Sequence, residues 1–294
     1  MKYAYFPGCS VHASDKEYGE SCKAVSKILG IELIEIPDWN CCGAIDAIYS
    51  YRPLFSIALP ARNLSLAEKM DLDIVTLCSA CYHTLSRTNK LLHEEPKLVN
   101  KVKEILRSAG LTYIGKVKVR HYLDVLINDV GLDEIARHVK VPLSELKAAP
   151  YYGCLLVRPP NISNFDDPEH PQSMDKLIET LGASSVNYID KTRCCGASLA
   201  ITDEPVMMEM TKKLLMEAKD SGAQCLVTAC PLCQFNLDVK QHDIESSYKL
   251  EINLPILYFT QLMGVSFGIK PNDLGLRKNC VSPMGLLQQL KVTR

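Results

Sequence analysis

The chain has 294 residues, 47% hydrophobic and 23% charged, with a formal net charge of −1. That balance suits a globular protein of two domains or one large one, able to bury a core without covalent staples. The 33 basic residues are scattered, which excludes a nucleic-acid footprint; the longest apolar stretch, Leu254 to Ile269, is broken by Thr260, Gln261 and Ser266, which excludes a transmembrane segment.

The N-terminus lacks the apolar run of a signal peptide, so a cytoplasmic location is expected. Cys22, Val25, Ile28 and Leu29 recur at helical spacing and predict a helix from about Asp15 to Leu29, stopped by Gly30. Ile31 to Ile36 alternates like a strand and ends at Pro37, with Cys41-Cys42-Gly43 in the loop after it. A helix from about Pro60 to Met70 leads into a strand, Asp73 to Leu77, that runs into Cys78. A strand Val117 to Arg120 precedes a helix near Tyr122, and 121–150 reads as a connector. Beyond it come helix 171–181, strand 184–189, Cys194-Cys195, helix 206–220, strand 225–229, Cys230, strand 254–258 and a last helix. Helices alternating with strands predict an α/β fold of parallel sheets, whose ligands collect at the carboxyl ends of the strands.

Thirteen cysteines need an explanation. An odd count in a chain with no export signal argues against a disulfide framework and for metal ligands. An internal repeat sorts them. Asp73-Ile-Val-Thr-Leu-Cys-Ser-Ala-Cys81 returns as Cys225-Leu-Val-Thr-Ala-Cys-Pro-Leu-Cys233, and Cys41-Cys42-Gly43-Ala44 as Cys194-Cys195-Gly196-Ala197. Gly8-Cys9 returns as Gly153-Cys154. Cys9, Cys41, Cys42, Cys78 and Cys81 therefore match Cys154, Cys194, Cys195, Cys230 and Cys233. Cys22, Cys225 and Cys280 match no cysteine and are expected to fill packing positions. The repeat predicts two lobes, 1–145 and 146–294, facing each other across a pseudo-twofold axis, each a small mainly parallel sheet with flanking helices.

Cys-x-x-Cys alone is shared by zinc sites, redox dithiols and iron–sulfur clusters. Zinc and a regular cubane cluster each need four ligands, and each lobe offers five thiols. Two from adjacent residues suggest a cluster that is not a regular cube; zinc in one lobe stays open. Gly43 and Gly196 would permit the turn that aims both neighbouring thiols at one object. Other residues carry less. His12 and His83 are near enough in sequence to cysteines to serve as proton donors, against commoner surface or capping roles. Lys191 and Arg193 read as solvated charges, His121-Tyr122 as a structural helix start, Trp39 as packing over the cysteine loop, and Met207, Met208, Met210 and Met216 as core.

Two copies of the cysteine-rich CCG motif, with all ten cysteines in place from Cys9 to Cys233, resemble the catalytic B-subunit of heterodisulfide reductase. The motif family also includes components of succinate, lactate and glycolate dehydrogenase-type complexes with electron-transfer or quinone-docking roles. The resemblance implies a noncubane [4Fe–4S] cluster in each lobe, held by the five cysteines there, with a disulfide cleaved between them. It implies the coenzyme M–coenzyme B heterodisulfide, or a related small-molecule disulfide, as substrate. As partners it implies a ferredoxin-like C-subunit, a flavin-containing iron–sulfur A-subunit, and a hydrogenase or formate dehydrogenase module.

Overall fold

The computed structural model describes residues 1–44 and 50–290. Two four-stranded sheets, parallel at every pairing, organise it. The first has the order β2-β1-β3-β4, with β1 Lys2–Phe6, β2 Glu32–Glu35, β3 Ile74–Thr76 and β4 Val119–His121. The second repeats the order as β6-β5-β7-β8, with β5 Lys147–Tyr151, β6 Ser184–Ser185, β7 Cys225–Thr228 and β8 Ile256–Tyr258. This is the expected two-lobed α/β fold.

Parallel sheets are covered on both faces, so their strands read as continuous apolar runs. Along β1, Tyr3 and Tyr5 enter one core while Ala4 and Phe6 enter another. On β5 the same alternation sends Ala148 to the first core and Ala149 and Tyr151 to the second. Each core therefore draws side chains from both lobes.

Helices do the covering, and two of them are exchanged. The helix Lys16–Ile28 of the first lobe packs on Phe259–Ser266, which follows β8 in the second. Reciprocally, Leu132–Arg137, which follows β4, packs on Ser173–Thr180. At the first contact Tyr18 stacks on Tyr258 with centroids 3.8 Å apart, and Ser21 and Thr260 share a buried hydrogen bond of 2.7 Å. Such an aromatic pair adds about 0.5–1.5 kcal/mol beyond its burial.

Several expectations need correction. The supposed connector 121–150 contains β5, a central strand of the second sheet. Pro150 disguises it, because proline donates nothing to a ladder. It is tolerated because β6 reaches only to the partner of Ala148, so the missing N–H faces past the end of β6. The expected strand 184–189 is paired only at Ser184–Ser185, the helix expected from Pro60 begins at Pro53, and the strand expected at 117–120 is Val119–His121. Ser79–Glu94 and Pro96–Ser108 are helices for which periodicity assigned no element. The apolar segment 258–267 is buried throughout, which removes it as an amphipathic membrane-binding surface. No described helix is long and apolar enough to cross a membrane.

Glu17 stands where its side chain meets Gly275, and loss of solvent pushes its carboxyl up to about 7. The folded chain then holds that proton to a higher pH than the unfolded chain, so stability falls as pH rises from the ordinary glutamate value through about 7. Glu17→Gln is expected to stabilise the protein by on the order of 1–2 kcal/mol at pH 8 and to change little near pH 4.5. Urea midpoints across pH test this; equal shifts at both ends would refute it.

Candidate metal centre

Each cysteine group sits where its strand ends. β1 delivers Cys9, β2 leads to the Cys41-Cys42-Gly43 loop, and β3 runs into Cys78, which caps the helix Ser79–Glu94 that carries Cys81. In the second lobe β5, β6 and β7 lead in the same way to Cys154, to Cys194 and Cys195, and to Cys230 with Cys233. This is the crevice at the carboxyl ends of a parallel sheet, as expected.

All thirteen cysteines are free thiols. Within the first lobe Cys42 and Cys81 approach to 3.2 Å, and Cys9 and Cys41 to 3.9 Å, sulfur to sulfur. Within the second, Cys195 and Cys233 stand 3.5 Å apart, and Cys154 faces Cys194. The lobes also meet at sulfur, with Cys78 and Cys230 separated by 3.9 Å. Equivalent residues of a repeat touch only close to a twofold axis, so this contact marks the pseudo-twofold.

The five cysteines of the first lobe line one partly enclosed, mainly apolar cavity of about 200 Å³. Its wall is completed by Pro231 and Leu232 from the Cys-x-x-Cys turn of the second lobe. A single water takes roughly 30 Å³ in the liquid, so this space suits a group of many atoms. Among the described residues no three His, Cys, Asp or Glu side chains close around one ion position. The thiols form walls, not a tetrahedron. A soft, all-sulfur donor set around such a space fits an iron–sulfur cluster.

Glycines make the walls possible. Gly43 and Gly196 have φ of +76° and +78°, and each N–H turns back on the first cysteine of its pair, Cys41 or Cys194. Gly8 and Gly153 play a part that spacing did not reveal. A Cβ at Gly8 would stand 3.1 Å from the Cys81 sulfur, and one at Gly153 3.4 Å from that of Cys233.

Neighbouring thiols and burial oppose each other in setting charge. Hydrogen bonds from Cys41 and Cys81 hold Cys42 well below the ordinary thiol range, and bonds from Cys233 and Cys78 do the same for Cys230. Cys22 and Cys225 are fully buried, and loss of solvent pushes both up to about 12. They are inert packing residues, as expected. Cys280 is exposed and fills no core position, because it is held there by its backbone N–H bonding to Asp238 at 2.8 Å.

Neither His12 nor His83 lines the cysteine cavity. His12 is exposed and lies edge-on to Trp39, which also meets Phe6 beneath the loop that carries Cys41. His83 lies on the helix after Cys78, its Nδ1 without a hydrogen-bond partner. The methionine stripe is core on the side toward Gly196. Lys191 overturns its expectation as a solvated charge: it is buried, donating to the carbonyl of Pro171 at 2.8 Å and to Asp175 at 3.3 Å. A charge out of water needs such partners. Its own carbonyl accepts the N–H groups of Tyr152 and Gly153, just before Cys154. Arg193 keeps to the surface, paired with Asp190 at 2.7 Å.

The cysteine-rich CCG domain model matches the chain twice, over residues 3–86 and 148–238. The chain belongs to the CCG family. Among its CCG relatives is the 8-methylmenaquinol:fumarate reductase membrane anchor subunit of Wolinella succinogenes, 36% identical over 95% of this chain and 97% of the relative. The B-subunit of the ferredoxin:CoB-CoM heterodisulfide reductase of Methanosarcina mazei is 31% identical over 98% of this chain and 97% of its own. A protein of Archaeoglobus profundus that is like the heterodisulfide reductase B-subunit is 30% identical over 96% and 95%. The chain is thus a homologue of the heterodisulfide reductase B-subunit. In fold it is similar to a hypothetical protein from Helicobacter pylori, with a TM-score of 0.75 at 16% identity, over 96% of this chain and 52% of that one.

Proposed function

We propose that this chain is the disulfide-reducing component of a cytoplasmic heterodisulfide reductase complex, an oxidoreductase with two noncubane [4Fe–4S] clusters. Cys9, Cys41, Cys42, Cys78 and Cys81 hold one; Cys154, Cys194, Cys195, Cys230 and Cys233 hold the other. The observation that carries this reading is the cavity with five cysteines of one lobe on its wall and the Pro231-Leu232 turn of the other across from them. A substrate sulfur entering there meets both lobes. When bound, two such clusters supply one electron each and iron that accepts a product thiolate. The protein aims the thiols through the turns at Gly43 and Gly196 and lines the space with apolar side chains that keep water out. Electrons arrive from a ferredoxin-like C-subunit and a flavin-containing iron–sulfur A-subunit, served by a hydrogenase or formate dehydrogenase module. These partners follow from the heterodisulfide reductase relatives.

The Wolinella relative supports a second reading, an electron-transfer or quinone-docking component of a dehydrogenase-type complex. Tyr51, Phe55 and Ile201, exposed at 79%, 52% and 96%, lie shortly after the two Cys-Cys-Gly loops and offer apolar surface for it. One experiment separates the two. Anaerobically prepared protein, fed electrons by a low-potential donor, is expected to reduce the coenzyme M–coenzyme B heterodisulfide to two thiols. Failure with that and related disulfides, together with oxidation by a quinone analogue, would establish the second reading.

A further inference from the structure

His121 closes β4 and is wholly buried. Its Nδ1 accepts the backbone N–H of Leu123 at 3.2 Å, so the proton of the neutral ring sits on Nε2. That Nε2 lies 3.0 Å from the carbonyl of Leu77 and 3.0 Å from the carbonyl of Ala229. One N–H is therefore shared between two acceptors in a three-centre bond.

The two carbonyls are equivalent positions of the repeat. Leu77 immediately precedes Cys78, and Ala229 immediately precedes Cys230. They belong to different lobes and meet at the pseudo-twofold contact. The register places His121 beside Thr76 and Tyr258 beside Thr228, so Tyr258 is the counterpart of His121. Tyr258 makes no reciprocal tie, because its hydroxyl donates to Asp15 at 2.7 Å. The seam is thus bridged by one ring. Ser79 Oγ reinforces it by donating to the Ala229 carbonyl at 3.3 Å, and the rings of Tyr82 and Phe259, centred 6.1 and 6.3 Å away, flank the imidazole.

We propose that His121 is a positioning residue that sets the separation of the two Cys-x-x-Cys loops, and so of the two metal centres, by sharing one proton between the carbonyls before Cys78 and Cys230. The inference rests on the reading that each lobe holds its own cluster. It gives the repeat a defined gap, which a substrate with two sulfur ends must span.

The test compares three substitutions in the full-length, anaerobically prepared chain. His121→Phe keeps a ring without the donor, His121→Asn carries its N–H at the δ position, and His121→Gln carries one at the ε position. Amide hydrogen exchange over residues 77–82 and 229–234 is expected to quicken roughly tenfold in the Phe and Asn proteins and to stay close to wild type in the Gln protein. Iron content should be unchanged in all three, while the dipolar splitting between the two reduced clusters in electron paramagnetic resonance shifts in the Phe and Asn proteins only. Unchanged exchange in the Phe and Asn proteins, or equal quickening in the Gln protein, overturns the proposal. Should the Phe protein not fold, the Asn and Gln pair carries the comparison. A wild-type chain with iron for a single cluster would instead defeat the two-cluster reading, and the exchange result would still report on the tie between the loops.

Discussion

Exchanging Cys42 for serine is expected to remove about half of the iron and acid-labile sulfide of the anaerobically prepared chain, about four of eight atoms each. Cys42 is 3% exposed, sits on the cavity wall and meets Cys81 at 3.2 Å. Serine keeps the size but replaces a soft thiolate with a hard, protonated oxygen. Cys195→Ser, its equivalent, should cost the other half, and the double substitution nearly all. Cys22→Ala and Cys225→Ala should retain the full complement, because those thiols are buried in the core away from the cavity. Turnover of a disulfide should fall by roughly a hundredfold or more in either single serine variant if both lobes act on one substrate. Two half-active single variants would mean independent sites and would defeat the paired-cluster reading. Full iron in the Cys42→Ser protein would remove Cys42 from the ligand set.

The largest loss of stability is expected from Lys191→Ala. The side chains of Lys191 and Asp175 are 6% and 9% exposed, and Asp175 also accepts bonds from Tyr152 at 2.6 Å and Ser185 at 3.1 Å. Removing the ammonium leaves a carboxylate out of water without its counter-charge, which costs about 3–5 kcal/mol. Replacing both partners, as Lys191→Met with Asp175→Asn, removes the charges together and should recover most of that. Urea unfolding of the single and double variants decides the matter. A double variant no more stable than the single would show that packing, not charge, is what Lys191 contributes. Because the Lys191 carbonyl holds Tyr152 and Gly153, the single variant should also lose iron selectively from the second lobe.

The ten cysteines were legible because a repeat within one chain compares positions that must do the same job. The order of strands was harder. β1 and β5 lie at sheet centres, buried on both faces, and so lack the alternation that reveals a half-exposed strand. Lys147-Ala-Ala-Pro-Tyr151 adds a proline and two alanines, which argue locally against a strand that the neighbouring β7 nonetheless pairs along its length. Lys191 was misread for a related reason. A charge beside a reactive loop is usually solvated, and only the fold brings Asp175 and the Pro171 carbonyl to it. The role of Gly8 and Gly153 depends on a sulfur more than seventy residues away, which spacing alone does not report. His121 was legible as a helix start, but its second acceptor lies in the other lobe.

The exchanged helices have a consequence for how the two repeats can change. Where Lys16–Ile28 meets Phe259–Ser266, the joining pairs are unlike residues: Ser21 with Thr260, Tyr18 with Tyr258, and Asp15 with Tyr258. Pairs of this kind fit in one arrangement only. A duplicated ancestor could have closed on a copy of itself, but each half of this chain now carries a lock cut for the other half. The repeats have ceased to be interchangeable parts. Change at the seam must be answered in the opposite lobe, whereas the outward surfaces beyond the Cys-Cys-Gly loops remain free to diverge toward different partners.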